Sequence, residues 1–485
     1  MKATVHRMLG VLLLLLAQPV FAAWFRAETP AFIVYGQGSA RQVSTAATQL
    51  AAFDQLLRQL TGITSDAPRA RVSIYLVDDA RDFDRLRGAG PGFDGFYTAT
   101  PNTIAAFVDR SDTAHEARAQ NVMFHEYAHH FMFAHQPASY PAWYIEGLAS
   151  YWETARFSKG KARYGDYDSG RAQTMMLANW MPVARLLGAD WTNLPGYETP
   201  MFYAQSWLVV HYLASDPQRA ASLARYLELV AGGTPSGPAF AQVFGYPVER
   251  FDKVLIDYVM GRTLKPTELA FVPLQASVAA APLSAVADAL LIPAAQLDIG
   301  VDPDKAPALL ERIRRIAARY PDDWSAKVVL ATAELRLGDR VQARALIDSL
   351  VAEKPDSAPL LLLLGTAQLL DHQAASATLA HADAMRPDDY RILFLRALAE
   401  PPGAEAERRA LLLRANALAP QVEPVALAAA QAQAEAGDFA AARALLMPVA
   451  NNPHGGPAAV QARGWLRQLP AAAPVDGAIK AAPPK

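Results

Sequence analysis

A proline period constrains the last third of this chain more than any other feature. Pro321, Pro355, Pro387, Pro420 and Pro453 follow one another at intervals of 34, 32, 33 and 33 residues. Leu337-Gly338-Asp339 and Ala436-Gly437-Asp438 stand 99 residues apart, which is three such intervals. Proline kinks or breaks a helix interior, so each one is expected to close a helical segment. Each interval has room for two helices and their turns. The Ala- and Leu-rich composition from residue 283 onward lets paired helices approach closely. A unit of this size cannot bury its apolar face alone, so neighbours must stack in series. An irregular Ala-rich bundle is the alternative, but it has no need of a regular proline spacing.

The segment resembles tetratricopeptide repeats. Leu330, Ala331, Ala343, Ile347 and Pro355 match consensus positions in one unit, and Leu364, Gly365, Ala375, Leu379, Ala382 and Pro387 in the next. The family's aromatic positions are not kept, so the repeats are degenerate. Residues 284–319 add one further divergent unit. The Pro/Ala-rich residues 470–485 are expected to be disordered.

The N-terminus reads as an export signal. Lys2 and Arg7 precede an apolar run over Leu9–Ala17, and Val20-Phe21-Ala22 places small residues where a signal peptidase cuts. The run is too short to span a bilayer, so residues 1–22 are expected to be removed. No later segment has 18 unbroken apolar residues, and the mature protein is expected in the periplasm or secreted, with no stable membrane span. Such a compartment permits disulfides, yet the chain has no cysteine. Thiolate metal sites and cysteine nucleophiles are excluded with them. Lys and Arg number 45 against 47 Asp and Glu, which gives no argument for a nucleic-acid partner. Any metal must therefore be held by His, Asp or Glu.

Between signal and repeats the pattern changes. Residues 31–35, 72–77, 96–99 and 103–108 read as strands, the last two as a hairpin across Thr100-Pro101-Asn102. Residues 41–60 form an amphipathic helix. Thr113 and Glu116 resemble a capping box opening a helix that runs to about His135, before Gln136-Pro137. Residues 138–260 are mostly helical, with segments at 144–157, 200–214, 217–231 and 248–259. Residues 263–282 lack periodicity and read as a linker.

The 113–135 helix carries the chemistry. His125-Glu126-Tyr127-Ala128-His129 is an HExxH motif. Histidines at i and i+4 lie on one helical face, where both imidazoles can reach one ion. Glu126 projects beside that ion, placed to take a proton from a bound water. A catalytic zinc needs a third protein ligand and one open position. His135 stands where the pattern HExxHxxGxxH puts its third histidine, but Met132 occupies the glycine position that lets the chain turn back. On a continuous helix His135 lies about 9 Å along the axis from His129. Glu146, in the next helix, is the better candidate.

Pro141-Ala142-Trp143-Tyr144-Ile145-Glu146-Gly147-Leu148-Ala149 contains the pattern Trp-x-x-Glu-Gly-x-Ala. Together with HExxH, it makes residues 24–260 similar to the gluzincins, in their peptidase-MA-like branch. The resemblance implies His125, His129 and Glu146 as zinc ligands and Glu126 as general base. It implies Tyr203 as donor to the oxyanion, with Tyr151, Tyr212 and His211 as weaker candidates. Gly147 and Ala149 are expected to let the two helices approach. His130 is expected to face solvent or support a ligand, and Ser150 or Glu153 to orient one. In gluzincins the edge strand corresponding to 96–108 pairs with an extended substrate. The Gly-x-Met-Glu-Asn motif of aminopeptidase relatives is absent.

The expectation is thus an α+β zincin-like metallopeptidase domain over 23–262, followed by an all-α, TPR-like domain over 283–469. The activity expected is hydrolysis of a peptide or protein substrate by zinc-activated water, with the repeats presenting a concave face to substrate or a protein partner. Two alternatives stand beside it: a repeat scaffold with a weak or inactive peptidase domain, and a zinc hydrolase of a non-peptide amide or ester.

Overall fold

A computed structural model describes residues 24–64, 69–87, 94–112, 116–167, 169–188, 194–261, 264–274, 277–452 and 456–470. The expected signal at 1–22, Thr113 of the capping box, Pro453 and nearly all of the expected tail lie outside these residues. Among the described residues, no helix is long and apolar enough to cross a membrane.

Short β-rich segments near the N-terminus assemble one mixed sheet. Its strands are β1 (Phe25–Glu28), β2 (Phe32–Gly36), β3 (Val72–Val77), β4 (Gly95–Ala99), β5 (Ile104–Asp109) and, from much later in the chain, β9 (Ala280–Pro282). The spatial order is β4-β5-β3-β2-β1-β9. β2, β3 and β5 run parallel, while β4, β1 and β9 pair antiparallel to their neighbours. Among the described residues β4 is therefore an edge strand, with β5 as its one strand neighbour.

Period-2 alternation assigns each face of this sheet to a different layer. On β5, Ile104, Ala106 and Val108 face α1 (Ala40–Thr61) and α3 (Glu116–His135), whose Phe53 and Phe124 stack at 4.2 Å. Ala105 and Phe107 face the other way, toward α2 (Ala80–Arg87) and α11 (Ala285–Ile299). Ser39 caps α1 by accepting from the Gln42 N–H, and Gly62, left-handed at φ 68°, closes it.

The helices after α3 are α4 (Ala142–Trp152), α5 (Ser169–Leu177), α6 (Val183–Gly188), α7 (Thr199–Ala214), α8 (Pro217–Ala231), α9 (Ser236–Phe244) and α10 (Phe251–Met260). α4 ends before the expected residue 157 because the chain turns into a hairpin of β6 (Arg156–Ser158) and β7 (Lys161–Tyr164). Residues 263–282, expected as a linker, instead carry strands. β8 (Thr267–Ala270) joins β7, and β9 completes the large sheet against β1.

The remaining chain is a helical repeat. Antiparallel pairs form from α11 and α12 (Ala306–Ala317), α13 (Trp324–Leu337) and α14 (Arg340–Glu353), α15 (Ala358–Leu370) and α16 (Ser376–Met385), α17 (Tyr390–Ala399) and α18 (Glu405–Leu418), and α19 (Glu423–Glu435) and α20 (Phe439–Ala450). α21 (Gly456–Gln468) follows as a single helix. Pro321, Pro355, Pro387 and Pro420 each lie just beyond the second helix of a pair. Gly365 of α15 shows why a small residue is needed there: a Cβ would sit 2.5 Å from Leu379 of α16.

The repeats do not stand apart from the rest of the chain. α11 covers one face of the large sheet, so the first repeat helix doubles as a layer of the preceding fold. Tyr390, Leu393 and Phe394 of α17, Leu411 of α18 and Val425 of α19 belong to the same buried cluster as Phe131 of α3. The Ala70 N–H donates to the Leu418 carbonyl at 2.8 Å.

Candidate metal centre

The centre lies where α3, α4 and α7 meet beside the edge strand. His125 and His129 occupy successive turns of one α3 face, and their Nε2 atoms approach to 3.1 Å. The Glu146 Oε2 of α4 lies 3.4 Å from His125 Nε2 and 3.5 Å from His129 Nε2. Among the described residues these three form a group able to hold a metal ion. Tetrahedral zinc with bonds of about 2.0–2.1 Å requires donors roughly 3.3–3.4 Å apart, so the triangle fits that ion within a few tenths of an ångström. The donor chemistry agrees as well. Glu146 is fully buried and His129 nearly so, whereas His125 keeps 13% of its side chain exposed. Burying a carboxylate this deeply is costly unless its charge is matched, and a divalent cation held with the two imidazoles would match it.

Glycine at 147 sets the position of Glu146, although not through the contact expected. A Cβ there would lie 2.4 Å from the Ser206 carbonyl oxygen and 2.8 Å from Val210. Gly147 thus allows α4 to close on α7, rather than on α3. That contact brings α7, and with it Tyr203, to the centre. The Tyr203 ring lies 6.4 Å from the His125 ring. Burial foremost, then the nearby Glu146 and Glu126 carboxylates, holds its phenol well above the ordinary pKa, so it stays protonated as a hydrogen-bond donor.

Glu126 is buried beside β4. A Cβ added at Gly95 would meet Val122 at 2.3 Å and Glu126 Oε1 at 3.3 Å. Glycine there lets the edge strand lie directly against the face of α3 that carries this carboxylate.

Glu153 holds His125, one of the three candidate ligands. Its Oε2 is 2.8 Å from His125 Nδ1, and its Oε1 accepts from Arg171 Nη1 of α5 at 2.5 Å. Burial alone would raise the Glu153 pKa, but Arg171 and His125 outweigh it and hold the carboxyl below its usual value. A carboxylate on Nδ1 fixes the tautomer that presents Nε2 to a metal. Sequence had offered Glu153 and Ser150 together, and the structure brings only Glu153 to a ligand. Arg171 was missed altogether, because nothing in its local sequence marks it.

The other candidates fall elsewhere. α3 continues without a break to His135, whose ring packs on Phe131 at 4.8 Å, outside the ligand group. His130 is buried, not solvent-facing, with Nδ1 3.4 Å from the Tyr97 hydroxyl of β4. Tyr151 bonds Thr267 at 2.7 Å, and His211 Nδ1 lies 3.0 Å from the Tyr258 hydroxyl. Tyr212 sits under the Arg219 guanidinium at 3.9 Å. These three are occupied in packing away from the ligand triangle.

No family model matches the sequence, and no curated protein matches it. Among solved structures, about a third of this chain is similar to TTC0263, a thermophilic TPR protein of Thermus thermophilus. The identity is 23%, covering 34% of this chain and 92% of that one, with a TM-score of 0.30. MamA is similar at 14% identity, covering 34% of this chain and 92% of that one, with a TM-score of 0.26.

Proposed function

We propose that this protein is a zinc-dependent hydrolase of the gluzincin type, acting on peptide bonds. One observation carries the reading: a fully buried Glu146 carboxylate meets two histidine Nε2 atoms of an HExxH helix, in a triangle of 3.1, 3.4 and 3.5 Å. His125, His129 and Glu146 would hold the ion, with the Glu153–Arg171 pair fixing His125. Zinc in such a site supplies a Lewis acid and a water acidified toward neutral pH.

The chain's own residues supply the rest. Glu126 accepts a proton as water attacks the carbonyl and returns it to the departing amine. Tyr203, kept protonated, donates to the oxygen that gains negative charge. Among the described residues no strand pairs with the outer edge of β4, and that edge can receive an extended chain. Its placement against Glu126 favours a peptide over a compact amide or ester.

The repeats support a second reading, in which binding is the main function and the hydrolytic site is weak or inactive. One experiment separates them. Zinc content of purified protein is measured, and cleavage of an unstructured protein is compared between wild type and Glu126→Gln. The enzyme reading expects about one zinc per chain in both proteins and a loss of at least about a hundredfold in rate for the variant. Absence of zinc, or equal rates, leaves the binding reading ahead. Zinc with cleavage only of small esters or amides would point to the non-peptide hydrolase.

A further inference from the structure

The hairpin that ends in the edge strand is held at its tip by the repeats. The Tyr390 hydroxyl of α17 donates to the Thr100 carbonyl at 3.1 Å. Arg336 of α13 donates through Nη2 to Asn102 Oδ1 at 3.0 Å. Its Nη1 reaches the Leu297 carbonyl at 2.9 Å and Asp298 Oδ1 at 3.1 Å, both at the end of α11. Thr100 closes the loop: its hydroxyl donates to the Asp298 carbonyl at 3.1 Å. The same oxygen accepts from the Asn102 and Thr103 N–H groups at 3.1 and 3.0 Å. Helices from three different repeat pairs thus converge on a four-residue turn.

The surroundings give this contact a purpose. A cavity of about 230 Å³ is lined by α13, α15 and α17, the first helices of three successive pairs, and by Pro101 and Asn102 of the turn. The inner surface expected to receive a separate partner is met here by the protein's own hairpin. At its other end the same β4 strand presses Gly95 toward Glu126. An edge strand has a neighbour on one side only, and its partner β5 cannot by itself fix how it leans on α3.

We propose that the repeats act in cis as a brace, with Arg336 and Tyr390 as positioning residues that hold β4 at the distance from Glu126 needed to align an extended peptide. The inference rests on the hydrolase reading for its substrate, but the clasp itself is testable without activity.

Full-length Arg336→Gln/Tyr390→Phe protein is compared with wild type by hydrogen–deuterium exchange, and by steady-state kinetics on a ten-residue peptide. The brace expects exchange over 95–104 to accelerate at least about tenfold while α3 and β3 stay protected. It expects KM to rise at least about fivefold with zinc content and kcat retained. Unchanged exchange over 95–104 overturns it, and so does equal acceleration across the whole sheet, which marks general destabilisation. Local loosening with unchanged KM also overturns it, because the strand would then not position substrate. If Glu126→Gln shows that the protein is not a hydrolase, that failure is read separately, since the exchange result does not depend on turnover.

Discussion

Replacing Gly147 by alanine tests the link between helix packing and the metal site. A Cβ at 147 would come within 2.4 Å of the Ser206 carbonyl oxygen, 2.7 Å of its carbon and 2.8 Å of Val210 Cγ2. Two of those atoms are backbone, so they cannot swing aside as a side-chain end would. Reaching ordinary contact requires α4 and α7 to separate by roughly 1 Å, and overpacking of this kind costs about 1–3 kcal/mol. Glu146 is the preceding residue and moves with that backbone. Its oxygen now lies 3.4 and 3.5 Å from the two histidine nitrogens, a spacing with little slack for tetrahedral zinc. The expected outcome is a lower unfolding midpoint together with zinc affinity weakened about 10–100-fold, the range typical when support of a ligand is lost. Gly464 of α21 has nothing within 4 Å of its virtual Cβ and serves as the control. Gly464→Ala is expected to gain about 0.5–1 kcal/mol from helix propensity and leave zinc untouched. Chelator competition and urea titration read both quantities. Gly147→Ala protein with wild-type stability and wild-type zinc affinity would refute the reasoning.

The proposed ligand set predicts that Glu146→Ala fails to retain zinc whereas His135→Ala retains it, as measured by metal content after dialysis. Glu153→Gln leaves a weaker partner on His125 Nδ1 and is expected to lower zinc affinity about 10–100-fold. Acid sensitivity has an assignable source in His211, whose pKa is pushed from 6.5 down to about 4, chiefly by burial. The unfolded chain takes up that proton at higher pH than the folded one. The stabilisation is therefore complete above about pH 6.5 and is lost as pH falls toward 4, amounting to about 2 kcal/mol by pH 5. Urea midpoints at about pH 7.5 and 5 should show a smaller difference for His211→Gln than for wild type. An equal difference would count against His211 as the source.

Local geometry was legible in the sequence, and long-range contact was not. The i, i+4 geometry of His125 and His129 follows from helix pitch alone, and the proline spacing marked the ends of α12, α14, α16 and α18. β9 was invisible because three residues of Ala-Ala-Pro carry no strand signal, and only β1 gives them a register. Gly147 was assigned to the wrong neighbour for a related reason. Helix-packing glycines advertise close approach but not which helix approaches. Arg171 carries no motif, and becomes recognisable only once Glu153 is seen bridging it to His125.

The repeats illustrate the same limit with a larger consequence. Their period implies a stacked surface, and a stacked surface invites an external partner. Period says nothing about which face is already covered. Thr100 and Tyr390 lie 290 residues apart in sequence, and Asn102 and Arg336 lie 234 apart, yet all four converge on one turn. α11 is at once the first repeat helix and a layer under Phe107 of the large sheet. Cutting the chain between the two parts would strip that layer, remove β9 from its place against β1 and free the hairpin beside Glu126. A fragment ending at residue 262 therefore loses both apolar cover and the clasp on β4. The two parts are best treated as one folding unit whose β4 edge is held at its turn by the C-terminal half.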